Sequence, residues 1–319
     1  MKISNSMPIN IVFYSKWDSF ELWKNILLKN NIKLYNWPDD FKDNISYTEI
    51  NGALVWDPPS RIWKNFPNIK IIQSLGAGVD HILSKKIPDN VNIIKLHDPN
   101  LSNQMAEYAL MSVLLCKRKY FQYHNNQIKK KWEQLTPKSN KDFNISILGY
   151  GNIAKLVIKN LKNLGFNINV WGNKKRNIKS VNYYFGKNQL KDCINNSSCL
   201  ISLLPDTIFT KGLIGLDKFK LLNNESYFIN IGRGNTVKQE DLYYALKNNI
   251  LTGAIIDVFK KEPLGKKENL WKLNNILITP HIAGITNATE YTAKLIRKNF
   301  DNLYKNKKLK NRVSITKGY

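Results

Sequence analysis

The sequence predicts an α/β protein of two domains, each with a parallel sheet flanked by helices. Short runs of β-forming residues alternate with helix-period segments along nearly the whole chain, an alternation typical of parallel βαβ units. The 319 residues are enough for two domains, and 43% hydrophobic content belongs to a globular protein. A glycine turn between a strand and a helix opens the central part of the second domain.

The first segment predicts five strands and one amphipathic helix. The strands are 9–14, 32–35, 53–56, 69–73 and 91–95, and the helix is 17–29. Gly76-Ala77-Gly78 follows the fourth strand. Its successive backbone N–H groups at a strand's carboxyl end suit a carboxylate, although a plain turn explains the same residues equally well.

The segment from 100 to about 131 contains no Pro or Gly and is helical in character. Met105, Ala109, Val113 and Cys116 fall on one face of that predicted helix. We interpret it as a long crossing from the first domain to the second. Residues 132–143 are looser and lead into the glycine-turn strand.

The second domain continues the alternation. Its predicted strands are 144–148, 167–171, 183–185, 199–203, 227–230, 253–257 and 276–279, and its helices are 152–164, 188–194, 216–222 and 238–247. A last helix, 286–304, is expected to return to the first domain. The predicted domains are therefore 1–98 with 286–319, and 99–285 inserted between them.

The glycine turn has the pattern G-x-G-x-x-A, with Gly149, Gly151 and Ala154 at its fixed positions. Gly149 allows the sharp turn, Gly151 lets the backbone approach a pyrophosphate, and Ala154 lets the helix press against its strand. The phosphates would face the N–H groups and the positive dipole end of that helix. This pattern predicts a Rossmann-like dinucleotide site, with Tyr150, Asn152 and Ile153 also in the turn.

Three further short motifs follow strands of the second domain, at the edge where open α/β sheets bind ligands. They are Asn230-Ile-Gly-Arg-Gly234, Asp257-Val-Phe-Lys-Lys-Glu-Pro263 and Thr279-Pro-His-Ile-Ala-Gly284. With these motifs, with Leu75-Gly-Ala-Gly-Val-Asp80 and with Gln104-Met-Ala-Glu-Tyr108, nearly the whole chain resembles the D-isomer-specific 2-hydroxyacid dehydrogenases. Within that family it is most similar to the members that reduce glyoxylate and hydroxypyruvate.

The resemblance implies three catalytic residues. Arg233 would grip the carboxylate and carbonyl oxygen of a small 2-keto acid with two parallel N–H bonds, which a lysine cannot supply. His281 would protonate the carbonyl oxygen while hydride arrives from the nicotinamide, because an imidazole with a pKa of about 6.5 exchanges protons at cellular pH. Glu262 would hold the far ring nitrogen and favour the imidazolium. The implied reaction reduces glyoxylate to glycolate or hydroxypyruvate to D-glycerate.

Other roles come from the resemblance alone. The loop of Gly76, Ala77 and Gly78 would lie over the nicotinamide, and the N–H groups of Ala77 and Gly78 would bind the substrate carboxylate. Asp257 would accept the nicotinamide carboxamide. The remaining cofactor contacts would be Leu204, Pro205, Ile231 and Gly232.

The end of the strand after the glycine turn predicts the cofactor. An NAD enzyme places an acidic residue about 20 residues after the turn to bind the ribose hydroxyls. Here the chain has Asn173, Lys174, Lys175 and Arg176 and no acid. Three cations would attract a 2′-phosphate, so we predict NADPH in preference to NADH. Family members often carry Arg at the position of Asn173, so the exact phosphate ligands stay open.

Alternative functions remain. Within the same fold the substrate could be that of a phosphoglycerate or lactate dehydrogenase, and Trp56, Trp132 and Tyr291 are guesses for the pocket wall that decides. A non-catalytic nucleotide-sensing protein of the same fold is a second alternative. Nucleic-acid binding is a third, resting only on the net charge of +25, but lysines are scattered and only Arg61, Arg118, Arg176, Arg233, Arg297 and Arg312 are arginines.

The remaining features predict a cytoplasmic protein without a resident metal. The three cysteines, Cys116, Cys193 and Cys199, lack metal-site spacing and indicate a reducing compartment. We find no signal peptide and no apolar run of membrane-spanning length, and expect no specific nucleic-acid partner. His81, His97 and His124 are interpreted as structural histidines. The family resemblance implies a homodimer, with residues 100–140 packed between subunits.

Overall fold

The structure is a computed structural model that describes residues 9–42, 45–88, 90–96, 98–285 and 289–314. The chain forms two compact units, Met1–Pro99 with Thr286–Tyr319, and Asn100–Ile285. Each unit contains a sheet of parallel-paired strands with helices between them. The predicted α/β class with two parallel sheets is confirmed.

The first unit contains β1 (Ile9–Tyr14), α1 (Phe20–Leu28), β2 (Ile32–Asn36), β3 (Gly52–Val55), β4 (Ile71–Ser74), α2 (Asp80–Leu83) and β5 (Asn92–Ile94). Its strands are ordered β2-β1-β3-β4-β5, the flavodoxin-like order, whose switch point lies between β1 and β3. Helix α1 begins three residues later than predicted because the Ser19 hydroxyl caps it, accepting the Leu22 N–H at 3.3 Å.

The second unit contains α3 (Pro99–Lys117), α4 (Tyr120–Ile128), β6 (Ile145–Leu148), α5 (Asn152–Asn163), β7 (Ile168–Gly172), β8 (Asn182–Phe185), α6 (Leu190–Ile194), β9 (Cys199–Ser202), α7 (Leu216–Phe219), β10 (Tyr227–Asn230), α8 (Gln239–Lys247), β11 (Gly253–Ile256) and β12 (Ile276–Ile278). The strand order is β12-β11-β10-β9-β6-β7-β8. This is the doubly wound nucleotide-binding order with one added edge strand, and it reverses between β6 and β9.

The prediction of one continuous helix over 100–131 is wrong. Lys119 adopts the left-handed conformation, with φ of 59°, and separates α3 from α4. The turn lets α4 bury Phe121 against Gly253 of β11, where an added Cβ would lie 2.4 Å from the ring. Ala109, Val113 and Cys116 are buried along α3, on the face that the spacing indicated.

The chain ends in α9 (Thr289–Tyr304), which belongs to the first unit. The first three residues predicted for this helix, 286–288, lie outside the described residues. Ala293, Ile296 and Phe300 are buried in the same core as the β1 residues Ile9 and Ile11. The C-terminal segment therefore helps to build the core of the first unit.

Candidate active site

The loop after β10 carries Arg233 and is held by the side chain of Asn230. The Asn230 amide donates to the Arg233 carbonyl at 3.2 Å, and its oxygen accepts the Gly232 N–H at 3.2 Å. The Thr236 hydroxyl donates to the same Arg233 carbonyl at 2.6 Å. Asn230 is 1% exposed, so a buried amide fixes the backbone from which the guanidinium projects.

The glycines on either side of Arg233 sit against neighbouring backbone. A Cβ added at Gly232 would lie 2.7 Å from the backbone N and O of Leu204, and one at Gly234 would lie 1.9 Å from the carbonyl carbon of Phe259. Because only hydrogen fits in these gaps, the two glycines bring the Arg233 loop into contact with the loops after β9 and β11. Close packing therefore explains why the Asn230–Gly234 motif has glycine on both sides of Arg233.

His281 and Glu262 form a hydrogen-bonded pair. His281 Nδ1 lies 2.8 Å from Glu262 Oε2, and the Phe259 N–H donates to Glu262 Oε1 at 2.8 Å. The side chains of His281 and Glu262 are 33% and 34% exposed, so the pair is partly shielded but open to a small molecule.

The pKa of Glu262 lies below its ordinary value. Burial, the largest single effect, raises the pKa. The hydrogen bond and charge of His281, the Phe259 N–H and the positive charge of Arg233 lower it, and together they outweigh burial. Glu262 is therefore ionised at neutral pH and accepts both bonds, so His281 donates from Nδ1. The structure brings all three predicted catalytic residues into one electrostatic environment.

Asp257 organises the loop that carries His281. It is 1% exposed. Its Oδ1 accepts the Thr279 hydroxyl at 2.6 Å and the Ile282 N–H at 2.8 Å, and its Oδ2 accepts the Ala283 N–H at 2.9 Å. The sequence-based role for Asp257 was the nicotinamide carboxamide. That role stays a prediction. The described contacts of Asp257 are all within the protein, and they close the loop between residues 279 and 283.

The glycine turn has the geometry that the sequence pattern requires. Gly149 has φ of 107°, and an added Cβ would meet the Leu203 carbonyl oxygen at 3.0 Å. At Gly151, which precedes α5, an added Cβ would meet nothing within 4 Å. Ala154 is 1% exposed against the sheet. This open space beside Gly151, at the N-terminus of a three-turn helix, fits a pyrophosphate.

The predicted phosphate-binding cations follow β7. Asn173, Lys174, Lys175 and Arg176 are all exposed. The Arg176 guanidinium lies over the ring of Tyr150, 5.5 Å from its centroid, and so joins the basic segment to the glycine turn.

The remaining predicted cofactor residues near the Arg233 loop differ in how far their side chains are exposed. Leu204 and Ile231 are buried, 4% and 2% exposed, whereas Pro205 is exposed. Because its side chain is buried, Leu204 contacts Gly232 of the Arg233 loop through its backbone N and O.

In the first unit, Ser74 shapes the loop of Gly76, Ala77 and Gly78. Its hydroxyl donates to the Gly78 carbonyl at 2.9 Å and accepts the Gly76 N–H at 3.2 Å. A Cβ at Gly76 would lie 2.2 Å from the ring of Trp56, so Trp56 covers this loop directly.

His81 has a structural place beside that loop. Its Nδ1 accepts the Asp57 N–H at 3.0 Å, its Nε2 lies 3.3 Å from the Ser74 hydroxyl, and its ring lies against Trp56 at a tilt of 44°, with centroids 4.2 Å apart. His124 is stacked on Tyr120 at 5.8 Å, and His97 lies outside the described residues.

Two groups of residues were missed by sequence reasoning. Tyr108 and Thr279 are hydrogen-bonded at 2.6 Å although they are 171 positions apart in the sequence. Ser74 is hydrogen-bonded to Gly76 and Gly78 in the loop that follows β4. The motifs contain these residues, but no spacing within one sequence predicts the contacts.

Across the described ranges, three or more His, Cys, Asp or Glu never gather as a potential metal site. No helix in the described part of the chain is long and apolar enough to span a bilayer.

Comparison with known proteins gives the family. Residues 110–283 match the model of the D-isomer specific 2-hydroxyacid dehydrogenase NAD binding domain. The chain is 34% identical over 286 residues to glyoxylate/hydroxypyruvate reductase A of Photorhabdus laumondii, covering 87% of this chain and 90% of that one. It is 33% identical over 319 residues to the enzyme of that name from Escherichia fergusonii, covering 98% and 100%.

Solved structures agree. The D-isomer specific 2-hydroxyacid dehydrogenase of Xanthobacter autotrophicus Py2, in complex with NADPH and MES, superposes with a TM-score of 0.89 at 29% identity, covering 98% and 100% of the two chains. An NADPH-dependent glyoxylate/hydroxypyruvate reductase of Sinorhizobium meliloti, in complex with NADP and sulfate, gives 0.87 at 26% identity with the same coverage. The chain therefore belongs to the D-isomer-specific 2-hydroxyacid dehydrogenases, a family of nicotinamide-dependent oxidoreductases.

Proposed function

We propose that this protein reduces a small 2-keto acid to the 2-hydroxy acid with NADPH, and that glyoxylate and hydroxypyruvate are its substrates. The observation that carries the proposal is the His281–Glu262 pair, with the Arg233 loop packed against the Glu262 loop through Gly234 and Phe259. The similar proteins named glyoxylate/hydroxypyruvate reductase A support the choice of substrates.

The chemistry follows from these groups. NADPH, when bound, supplies the hydride that reaches the carbonyl carbon of the keto acid. Arg233 binds the carboxylate and the carbonyl oxygen through parallel N–H bonds, and so polarises the carbonyl. His281 gives the proton on Nε2 to that oxygen, while Nδ1 stays bonded to Glu262. The carboxylate of Glu262 stabilises the imidazolium before transfer and fixes the tautomer after it.

NADPH is proposed over NADH because of the basic segment after β7. Lys174, Lys175 and Arg176 supply three positive charges and no carboxylate for the ribose hydroxyls. The NADPH and NADP named in the titles of the similar structures support this choice.

In the first unit, we assign the loop of Gly76, Ala77 and Gly78 to a carboxylate. Ser74 holds the loop from within, and its hydroxyl accepts the Gly76 N–H. The carboxylate would therefore be bound by the N–H groups of Ala77 and Gly78, because successive backbone N–H groups of this kind bind anions.

A homodimer is the proposed assembly. Six large apolar side chains between residues 111 and 132 are exposed: Met111, Leu114, Tyr120, Tyr123, Ile128 and Trp132. Trp132 is fully exposed, although a Tyr123–Leu135 hydrogen-bond pair holds its segment on α4. Such a concentration of exposed apolar groups is typical of an interaction surface.

The experiment is NADPH oxidation with a panel of keto acids that includes glyoxylate, hydroxypyruvate, pyruvate and phosphohydroxypyruvate. Turnover highest with the first two supports the proposal, and a preference for pyruvate or the phosphorylated acid would indicate a lactate or phosphoglycerate type. Cofactor binding without turnover would indicate a nucleotide-sensing protein. Arg233→Gln should abolish turnover and retain cofactor binding, and the exposed Arg61→Gln serves as the charge-matched control.

A further inference from the structure

One face of α3 cradles the loop that carries His281. Leu101, Gln104, Met105 and Tyr108 are spaced by three, one and three residues, so they share one side of the helix. A Cβ added at Gly284 would lie 2.7 Å from Leu101 Cδ1 and 2.8 Å from Met105 Cγ. The loop is therefore seated so closely on α3 that only a hydrogen fits between them.

Hydrogen bonds from the same helix face hold both ends of the loop. The Tyr108 hydroxyl lies 2.6 Å from the Thr279 hydroxyl, where the loop begins. The Gln104 side-chain oxygen accepts the Ile285 N–H at 2.8 Å, where the loop ends. His281 lies between these two points of attachment.

The direction of the bond from Tyr108 can be deduced. The Thr279 hydroxyl has one proton, which it donates to Asp257 Oδ1 at 2.6 Å, so its oxygen must accept the phenolic proton of Tyr108. Burial, the largest effect, raises the pKa of Tyr108 to about 12, with Asp257 raising it and the Thr279 bond lowering it. The phenol thus remains a proton donor throughout the working pH range.

The loop needs such support because His281 has a strained backbone. Its φ is 56°, in the left-handed region that residues other than glycine rarely adopt. Strain of this kind persists only where the surroundings fix it. Here the Asp257 carbonyl accepts the His281 N–H at 2.9 Å, while the Asp257 carboxylate holds the next two N–H groups.

We propose that Gln104 and Tyr108 are positioning residues of the reductase, which fix the orientation of the His281 imidazole through the Thr279–Asp257 relay and the Ile285 backbone. The proposal rests on the assignment of His281 as the proton donor. It gives the Gln104-Met-Ala-Glu-Tyr108 motif a function, although neither side chain touches the reacting atoms. Holding an acid in its productive geometry is a large part of catalysis, and a misplacement of about 1 Å can cost roughly a hundredfold in rate.

Tyr108→Phe tests the tyrosine, because it deletes one proton donor and keeps the ring. We expect kcat with glyoxylate to fall about tenfold or more, with the Kd of NADPH unchanged within about twofold. The isotope effect on kcat with NADPH deuterated at the transferred position should rise, since proton and hydride transfer become slower than product release. Tyr244→Phe on α8, an exposed tyrosine, is the control and should behave as wild type.

Gln104 supplies the rescue experiment. Gln104→Leu removes the acceptor for the Ile285 N–H and should lower kcat, whereas Gln104→Glu restores an acceptor oxygen and should recover most of it. The proposal is overturned if Tyr108→Phe keeps the wild-type kcat and isotope effect. It is also overturned if both helix variants lose NADPH affinity and melting temperature in proportion to activity, because that marks a general role in folding.

The proposed keto-acid reduction and the proposed role of α3 are overturned by different results. A wild-type enzyme that reduces no keto acid, or a fully active His281→Gln variant, would overturn the proposed function and this inference with it. An active wild type and an inactive His281→Gln, with Tyr108→Phe unchanged, would contradict only the role of α3.

Discussion

His281 Nδ1 lies 2.8 Å from Glu262 Oε2, and the positive charge of Arg233 helps to lower the pKa of that carboxyl. A carboxylate that remains ionised is a permanent acceptor, so the imidazole is held in one orientation with a proton on Nδ1. This pair connects the motif that begins at Asp257 with the one that begins at Thr279.

Replacing Glu262 by Gln should slow reduction. The carboxylate accepts the Nδ1 proton of His281 at 2.8 Å, and a neutral amide in its place holds the imidazole less firmly, so kcat/KM for glyoxylate should fall by about tenfold or more. The measurement is steady-state kinetics with glyoxylate at saturating NADPH. Glu268→Gln is the matched control, and a Glu262→Gln variant with the wild-type kcat/KM would contradict the pairing.

The His281–Glu262 pair should also make the free energy of unfolding depend on pH. Because the pKa of Glu262 is lower in the folded protein than its ordinary value of 4.5, its ionisation stabilises the fold above that value. This contribution is lost as the pH falls through the lowered pKa. The difference in unfolding free energy between wild type and Glu262→Gln, measured in urea, should therefore be present at neutral pH and shrink in acid. A difference that grows in acid would show the opposite sign.

Two glycine variants should separate binding from folding. Gly151→Ala adds its Cβ to open space, so the melting temperature should stay the same. The methyl group would occupy the path of the pyrophosphate, and the Kd for NADPH should rise about tenfold or more. Gly234→Ala instead drives its Cβ into the Phe259 backbone, which should cost roughly 1–3 kcal/mol of stability by overpacking and lower kcat. Equal behaviour of the two variants in urea unfolding and NADPH titration would refute this distinction.

Arg176→Gln should alter the choice between cofactors. Loss of a charge-assisted bond of about 1.5–3 kcal/mol to a 2′-phosphate lowers kcat/KM for NADPH by roughly tenfold to a hundredfold and leaves NADH unaffected. Steady-state kinetics with both cofactors measures this, with Lys247→Gln on α8 as the charge control. Equal losses with NADPH and NADH would mean that Arg176 does not contact the phosphate.

Trp132→Ser should weaken the proposed dimer. A fully exposed tryptophan that anchors a subunit contact contributes several kcal/mol to association, so the variant should show more monomer by light scattering at low concentration. Trp17→Ser, an exposed tryptophan of the first unit, should leave the mass unchanged. A wild-type monomer at all concentrations would rule out the dimer.

Much of the fold was predictable because buried parallel strands are short apolar runs with turn residues after them. The break at Lys119 was not, since a lysine gives no signal for a left-handed backbone and the packing of Phe121 decides it. Arg233, Glu262 and His281 could be proposed from the sequence because each belongs to a local motif that resembles those of the family. The Tyr108–Thr279–Asp257 relay could not, because its contacts join residues far apart in sequence and depend on how α3 lies on the loop.

The central claim is that His281 delivers the proton to the substrate oxygen. Single-turnover oxidation of bound NADPH by glyoxylate, followed by absorbance in wild type and His281→Gln, tests it most directly. The account predicts that the variant binds NADPH with wild-type affinity and transfers hydride slower by about a hundredfold or more. Hydride transfer at the wild-type rate in the variant would contradict it.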